Sequence, residues 1–293
     1  MAVFFGAFLE GVLLGGVYAL LALGIVVVYK SSRVFNIGYG EMMMFLAYFM
    51  WFLFSSRDLP LWVSFPFLLV TGIAIGLVSE RVCLRPLIGR PMLTTFMVCL
   101  VLGIFIRSIA ILWHGGIPEV MSILPTGNLV IGSISLSRTL LWCFVIGLAM
   151  FLVFVIYFRY SKVGLGMRCV AEDHHISQSL GIDVKRTFSI SWAIGGMMAA
   201  VASVLLGSLL IVDSDLGMFA LVRALPVVLL GGLESLPGAV AGGLIIGVTE
   251  VLAATYIDPH VSGFRELLPF VLMVIILIVR PSGLFGVKRI ERI

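Results

Sequence analysis

Long stretches of apolar residues with almost no charge dominate this sequence. Leu9–Val28 contains a single acidic residue, and Phe270–Val279 contains no charged residue. A helix that crosses the ~30 Å hydrocarbon core of a bilayer needs about 20 such residues. The whole chain of 293 residues is 61% apolar and 12% charged, whereas a water-soluble domain is about 45–50% apolar and about 25% charged. These proportions exclude a soluble or disordered protein and predict an all-α integral membrane protein.

Charged and Gly/Pro-containing breaks separate nine apolar runs. The runs are Phe4–Tyr29, Met42–Phe54, Leu61–Val78, Met92–Trp113, Thr139–Phe158, Phe188–Val212, Phe219–Leu230, Ala239–Ile257 and Leu267–Val279. They predict a single membrane domain over residues 1–293, a compact bundle of about eight transmembrane helices with broken or re-entrant elements. The first run lacks the basic start of a cleaved signal peptide, so we interpret it as a permanent span.

Connections rich in Lys and Arg alternate along the chain with connections that are poor in them. Fourteen of the nineteen fall within residues 30–33, 79–91, 159–188 and 280–293. Because cytoplasmic loops carry an excess of Lys and Arg, these four regions are predicted to be cytoplasmic. The N-terminus is then outside and the C-terminus is cytoplasmic.

Two segments do not fit a simple spanning helix. The run Phe219–Leu230 is about 18 Å long as a helix and leads into the Gly-rich segment Gly231–Gly238. The segment Asn36–Glu41 similarly precedes a short run. Non-helical backbone at membrane depth is tolerated only inside protein or along a wet cavity, and in transporters paired interruptions point to the binding site. The predicted translocation path consists of Asn36, Gly38, Gly40, Glu41, Gly231, Gly232, Glu234, Pro237 and Gly238. The two segments are either matching parts of an internal repeat or two unrelated kinks.

Ionisable residues inside the apolar runs are candidates for function. They are Glu10, Glu41, Arg107, Arg223, Glu234 and Glu250. A charge in hydrocarbon costs a few kcal/mol or more unless it is paired or hydrated. We interpret Arg107 and Arg223 as side chains that reach the outer boundary. Functional and structural roles stay open for Glu41, Glu234 and Glu250.

Glycine pairs four residues apart recur along the chain. They are Gly11 and Gly15, Gly72 and Gly76, Gly238 and Gly242, and Gly243 and Gly247. Such pairs let helix backbones approach closely in lipid. They predict close helix crossings rather than contacts with cargo.

The longest cytoplasmic loop, residues 159–188, is predicted to contain a short helix. Asp173 is a suitable N-cap and Gly181 fits the left-handed position that ends a helix. A helix of about seven residues is unstable alone in water. It either docks on a soluble partner or lies on its own bundle or the headgroups.

Catalytic signatures are absent from the sequence. There is no HExxH, no GxSxG and no GxxxxGK[ST] loop. The four cysteines are spread out, with no paired spacing typical of a metal site. We therefore expect no enzymatic activity, no metal site and no cofactor bound by this chain.

Several separated motifs resemble one family, the permease subunits of branched-chain amino acid ABC importers of the LivH type. The motifs, in order, are Gly11–Gly24, Asn36–Glu41, Glu80-Arg81 with Arg85-Pro86-Leu87, Gly166-Met167-Arg168 with Ala171-Glu172-Asp173, Leu180-Gly181-Ile182, Leu230–Ala239 and Arg280–Leu284. The sequence departs from the family pattern at Ile37, Gly38, Tyr39, His174 and Glu234, where the family has Phe, Ala, His, Pro and Gly. The first and last departures fall in the predicted path, so the cargo stays open between branched-chain amino acids, amides, urea and similar solutes.

The resemblance implies a set of partners. The chain would pair with a second, related permease in the inner or plasma membrane, receive cargo from an extracytoplasmic solute-binding protein, and couple to two cytoplasmic ABC ATPase subunits that use ATP-Mg. It implies no nucleic acid partner. The residues implied in ATPase coupling are Arg168, Ala171, Glu172, Asp173, Leu180 and Gly181.

Three other functions remain as alternatives. An ion-gradient-driven secondary transporter would use Glu41, Glu234 and Glu250 to relay protons or bind Na⁺. A membrane-embedded transferase would need clustered His, Asp or metal ligands, and a bare channel would leave the long cytoplasmic loop unexplained.

Overall fold

A computed structural model describes residues 1–87, 90–132, 134–172 and 174–286 of the chain. The structure is 77% helical. The helices of the described residues are α1 (Ala2–Ser32), α2 (Tyr39–Trp51), α3 (Leu61–Val78), α4 (Met92–His114), α5 (Arg138–Tyr160), α6 (Lys162–Glu172), α7 (His174–Ser179), α8 (Val184–Leu209), α9 (Leu216–Gly231), α10 (Leu236–Tyr256) and α11 (Phe264–Val279). One hairpin, β1 (Asn128–Ile131) and β2 (Ile134–Ser137), lies between α4 and α5.

Six helical stretches of the described chain are long and apolar enough to cross a membrane. They are Val3–Ser32, Leu61–Leu87, Leu93–His114, Arg138–Tyr160, Val184–Leu209 and Leu236–Tyr256. The chain is therefore a multi-pass, predominantly helical membrane protein, as the apolar runs predict. The hairpin is the exception to an all-α description, and the sequence analysis missed it.

Helix α9 is the short helix expected from the sequence, although it is longer than the apolar run. It has 16 residues and contains Pro226, which gives about 24 Å against a ~30 Å hydrocarbon core. Helix α2 is shorter, with 13 residues, and continues into one π-helical turn at Phe52–Ser56.

The chain divides into two compact units. The first unit contains Met1–Val26, Leu124–Phe151 and the chain from Val222 onward, and the second contains Val27–Ile123 and Leu152–Leu221.

A glycine-lined helix crossing holds the first unit together. A Cβ atom at Gly11 would lie 2.6 Å from the Cα atom of Val248, and one at Gly15 would lie 2.7 Å from the carbonyl oxygen of Gly243. Real Cβ atoms do not approach other heavy atoms this closely, so only glycine fits at this crossing of α1 and α10. The sequence-based prediction that these glycines serve helix packing is confirmed.

Helix α8 is the centre of the second unit and packs against α2 and α3. A Cβ atom at Gly72 would lie 2.5 Å from the carbonyl oxygen of Gly196, and Gly76 packs equally closely on the backbone of Trp192. Asp183 caps the N-terminus of α8 by accepting a hydrogen bond from the amide of Arg186 at 3.0 Å. The cap places the start of α8 at Val184, four residues before the apolar run begins.

Candidate functional site

The break between α1 and α2 lies beside the middle of a full-length helix. A Cβ atom at Gly38 would lie 2.9 Å from the carbonyl oxygen of Cys99 and 3.1 Å from the amide nitrogen of Gly103. Both contacts are near the centre of α4, which runs from Met92 to His114. Within the second unit, the segment Asn36–Glu41 therefore lies beside the mid-span of α4, and its role as a path element stays a prediction.

This break contains three buried side-chain oxygens that lack a hydrogen-bond partner among the described residues. They are Oδ1 of Asn36, the hydroxyl of Tyr39 and Oε2 of Glu41. Asn36 and Tyr39 are each 1% exposed. Because most buried polar groups are hydrogen-bonded, three exceptions within six residues mark a functional candidate. The peptide amides of Gly40 and Glu41 also lack a backbone acceptor in the described chain, as expected in the first turn of a helix.

Glu41 is the first member of a charged row in the second unit. Its Oε1 lies 3.9 Å from Nη1 of Arg107 on α4. The Nη2 of Arg107 donates to Oδ1 of Asp215 at 2.8 Å. Asp215 is largely exposed, Arg107 is one-third exposed and Glu41 is mostly buried. The guanidinium therefore bridges two carboxylates, and its position at the outer boundary stays a prediction.

The second predicted path segment, Gly231–Gly238, connects the end of α9 to the start of α10. Gly231 ends α9, and Ser235 caps α10 by accepting the amide of Gly238 at 3.0 Å. The chain that follows α11 packs against this turn, with the amide of Leu284 donating to the carbonyl of Leu230 at 2.8 Å. The segment therefore lies where three helices of the first unit end.

Glu234 lies in the turn before α10, within the non-helical stretch that the sequence predicts. The left-handed Gly232 (φ 105°) makes the turn possible, and Pro237 is in the first turn of α10, where its missing amide donor costs nothing. The path role of Gly231, Gly232, Glu234, Pro237 and Gly238 stays a prediction.

The most deeply buried ion pair is in the first unit and was not anticipated as a pair. Nη2 of Arg223 on α9 lies 3.2 Å from Oε1 of Glu250 on α10, and the two side chains are 6% and 9% exposed. The hydroxyl of Tyr18 on α1 interacts with both. The prediction that Arg223 reaches the outer boundary is wrong, because pairing with a carboxylate makes burial tolerable. A basic and an acidic residue in consecutive apolar helices was the available signal.

The cytoplasmic loop predicted to dock on a partner folds into two helices. The sequence predicts one helix of about seven residues, whereas α6 has 11 residues and α7 has six. Gly164, Met167 and Val170 form the buried side of α6, a spacing of three that was a signal for this helix. Asp173, the predicted N-cap, lies outside the described residues.

Two predicted coupling residues, Arg168 and Ala171, connect α6 to neighbouring helices of the second unit. The guanidinium of Arg168 donates to the carbonyl of Phe158 at the end of α5 and lies 5.4 Å from the centre of that ring. Nη2 of Arg33, just after α1, donates to the carbonyl of Ala171 at 2.6 Å. Helix α6 is therefore in contact with the ends of α1 and α5.

The remaining predicted coupling residues form part of the loop surface. Glu172 is exposed at the end of α6. Leu180 is 73% exposed and follows α7 rather than lying within it. Gly181 has φ 80°, the left-handed conformation expected for the end of a helix. An exposed leucine that is fixed next to a left-handed turn is a suitable contact for a protein partner.

Comparisons with known proteins match almost the whole chain to one family. The family model described as branched-chain amino acid transport system, permease component, matches residues 7–277. The high-affinity branched-chain amino acid transport system permease protein LivH of Escherichia coli (strain K12) is 31% identical over 97% of this chain and 96% of its own length. The corresponding permease protein BraD of Pseudomonas aeruginosa is 28% identical over the same shares.

A solved structure has a similar fold. A chain of PsaBC from Streptococcus pneumoniae in complex with Fab superposes with a TM-score of 0.51 and covers 95% of this chain and 94% of its own. The two sequences are 13% identical, so the likeness concerns the fold alone.

Proposed function

The chain belongs to the branched-chain amino acid transport permease family, and on that premise we propose that it is a permease subunit of an ATP-driven ABC importer. The family consists of transport components rather than enzymes. The proposed cargo is a branched-chain amino acid or a related small polar solute such as an amide or urea. The observation that carries the proposal is the family match from residue 7 to residue 277, which includes both the mid-span break and the cytoplasmic loop.

The proposed assembly contains more than this chain. A second, related permease completes the path, an extracytoplasmic protein delivers the solute, and two cytoplasmic ATPase subunits bind and hydrolyse ATP-Mg. The proposed orientation has the N-terminus outside and the C-terminus in the cytoplasm, because the Lys-rich and Arg-rich connections alternate along the chain. About eight transmembrane helices are proposed, because the shorter helices α2, α9 and α11 join the six long ones, and an odd number of full crossings places the two termini on opposite sides.

The break at Asn36–Glu41 suits a zwitterion. A carboxylate is favoured at the free amides of Gly40 and Glu41, where the helix dipole of α2 is positive. An ammonium is favoured by Oε2 of Glu41 and Oδ1 of Asn36, which have no other donor in the described chain. Because Asn36 is 1% exposed, the solute reaches this segment only when the surrounding helices separate. Such separation is part of alternating access.

We expect Glu41→Gln to weaken solute uptake. A hydrogen bond to a charged group contributes about 1.5–3 kcal/mol, so the half-saturating concentration should rise about 10- to 100-fold. Labelled leucine uptake at graded concentrations measures the effect. The matched control is Glu266→Gln, which neutralises an exposed acid in the first turn of α11. Uptake by Glu41→Gln that equals the control in affinity and cargo preference would remove Glu41 from the path.

The cytoplasmic loop is proposed as the ATPase contact. ATP-driven closure of the ATPase dimer would move the segment Glu172–Gly181. The contacts of Arg168 with the end of α5, and of Arg33 with Ala171, would transmit this motion into the second unit. This coupling supplies the energy that a chain without a nucleotide-binding loop needs from a partner.

We expect Leu180→Asp to abolish the association with ATPase subunits. A charge at this exposed apolar position would be desolvated on docking, and an unpaired desolvated charge costs several kcal/mol. The experiment is affinity purification of the tagged protein from its own cells after gentle solubilisation, followed by identification of co-purifying ATPases. Val261→Asp is the control, since Val261 is also an exposed aliphatic residue but lies in a connection predicted to face outward. Wild-type protein that is well folded yet carries no ATPase would contradict the coupling role.

A further inference from the structure

We propose that a cavity in the second unit binds the headgroup of an anionic phospholipid next to the ATPase-coupling loop. The cavity has a volume of about 770 Å³. The ends of α1, α4 and α8 and the π-helical turn that follows α3 border it. These are the Lys-rich and Arg-rich ends, so the inference rests on the orientation given in the proposed function.

The charges around the cavity favour an anion. Its basic lining residues are Arg33, Arg85, Arg90 and Lys185, and its acidic lining residues are Glu80 and Asp183. Among the described residues, neither Arg90 nor Lys185 forms an ion pair, and both are exposed. Two cations that point to one cavity without a carboxylate partner form a site for a phosphate group.

The two acids differ in their partners: Glu80 is paired with the charged Arg85, whereas Asp183 accepts a hydrogen bond from a neutral amide and keeps its charge. Glu80 accepts from Nε and Nη2 of Arg85 at 3.1 and 3.0 Å, and it also accepts from the hydroxyl of Ser189 at 2.9 Å. Asp183 is the N-cap of α8 and accepts the amide of Arg186. With the Glu80–Arg85 ion pair set aside, Arg33, Arg90 and Lys185 face the single carboxylate of Asp183, so the lining of the cavity is net positive.

The interior of the cavity is apolar, which favours an amphiphile over a simple anion. The apolar lining residues are Val34, Phe35, Leu84, Leu87, Phe96, Ile182, Val184, Phe188 and Trp192. Phe188 and Trp192 are buried and therefore form the floor. A headgroup phosphate at the basic rim would place the glycerol and the first acyl carbons against this floor.

The surface next to the cavity indicates that the occupant comes from the bilayer. Val82, in the π-helical turn, and Leu93, at the start of α4, are each 67% exposed. Such apolar residues beside a basic pocket are expected where hydrocarbon meets the cytoplasmic headgroups. Basic pockets between transmembrane helices on this side bind anionic lipid headgroups.

The site has a consequence for coupling. Gln178 of α7 and Ile182, just after Gly181, also line the cavity. A lipid in the cavity would therefore contact the proposed docking loop and the first turn of α8 together. It would hold the loop in one position relative to α8, and the rate of ATP-driven transport would depend on anionic lipid.

The test is lipid binding by the purified chain. Native mass spectrometry with added phosphatidylglycerol or phosphatidylcholine should show preferential retention of phosphatidylglycerol. The double variant Arg90→Gln with Lys185→Gln should reduce that retention about 10- to 30-fold, because each basic residue near a lipid surface contributes about fivefold. Arg186→Gln is the matched control, since Arg186 is adjacent in sequence to Lys185 and is not part of the cavity lining.

Three outcomes would overturn the proposal. These are equal retention of the two lipids, a double variant that binds phosphatidylglycerol like the control, and a double variant that keeps the lipid but loses its ATPase partners. The last result would identify the cavity as a contact for an acidic protein segment. Because lipid retention requires neither uptake nor ATPases, failure here is distinguishable from failure of the importer assignment.

Discussion

Arg223→Met destabilises the protein by about 3–5 kcal/mol, the largest stability effect that we expect, because it leaves Glu250 buried without its charged partner. The two side chains are 6% and 9% exposed and lie 3.2 Å apart. The measurement is chemical or thermal unfolding in detergent, in which the fraction of protein that still elutes as folded material is determined. Glu250→Gln should be similarly destabilising, since it strands the guanidinium.

The double variant Arg223→Met with Glu250→Leu separates a structural role from a transport role. Replacing a buried ion pair by apolar residues of similar volume is often neutral or stabilising, so the double variant should recover folding and uptake. A well-folded double variant without uptake would assign Glu250 a role in transport. That result would favour the ion-gradient-driven transporter, in which Glu250 relays protons or binds Na⁺.

Gly40→Ala abolishes most uptake, the largest functional effect that we expect from a single methyl group. A Cβ atom at Gly40 would overlap the carbonyl oxygen of Gly217 and lie 3.2 Å from the Cβ atom of Leu221. Overpacking of this kind typically costs 1–3 kcal/mol, and here the displaced element is the proposed path. Labelled leucine uptake, normalised to the amount of folded protein, measures the loss.

Gly6→Ala is the control for this substitution. Gly6 is also within a helix, but a Cβ atom there would meet only the Cγ2 atom of Ile134 at an ordinary distance of 3.6 Å. Both variants lose the same backbone freedom, so the comparison isolates the contact with Gly217. Normal uptake by folded Gly40→Ala protein would show that the close contact between α2 and α9 is unnecessary for transport.

The sequence predicted those features that depend on short-range patterns. Apolar runs located the long helices to within a few residues, and α3 matches its run at both ends, Leu61 and Val78. The glycine pairs predicted close packing because spacing by four residues places both on one helix face. The mid-span break at Asn36–Glu41 could also be predicted from a local pattern, since Gly and Asn interrupt an otherwise apolar stretch.

Features that depend on contacts between residues distant in sequence could not be predicted. Arg223 and Glu250 lie in consecutive apolar runs, but this pattern does not specify which charged residues meet, so the burial of Arg223 was misjudged. The conformation of the turn that contains Glu234 could not be predicted either, because a hydrogen bond between Leu284 and Leu230 helps to define it. Helix α6 was missed since a glycine-containing, charged loop has low helix propensity. Its buried face forms by packing on α8 and on the end of α5.

Uptake of labelled leucine by cells that lack this chain, with and without its restoration, tests the central claim most directly. The account predicts that restoration recovers uptake, that ATP depletion abolishes it, and that an ionophore which collapses ion gradients while ATP is maintained leaves it intact. Unlabelled isoleucine, valine, urea and acetamide, added as competitors, identify the cargo class. Uptake that depends on this chain but disappears with the ion gradient while ATP is present would contradict an ATP-driven importer.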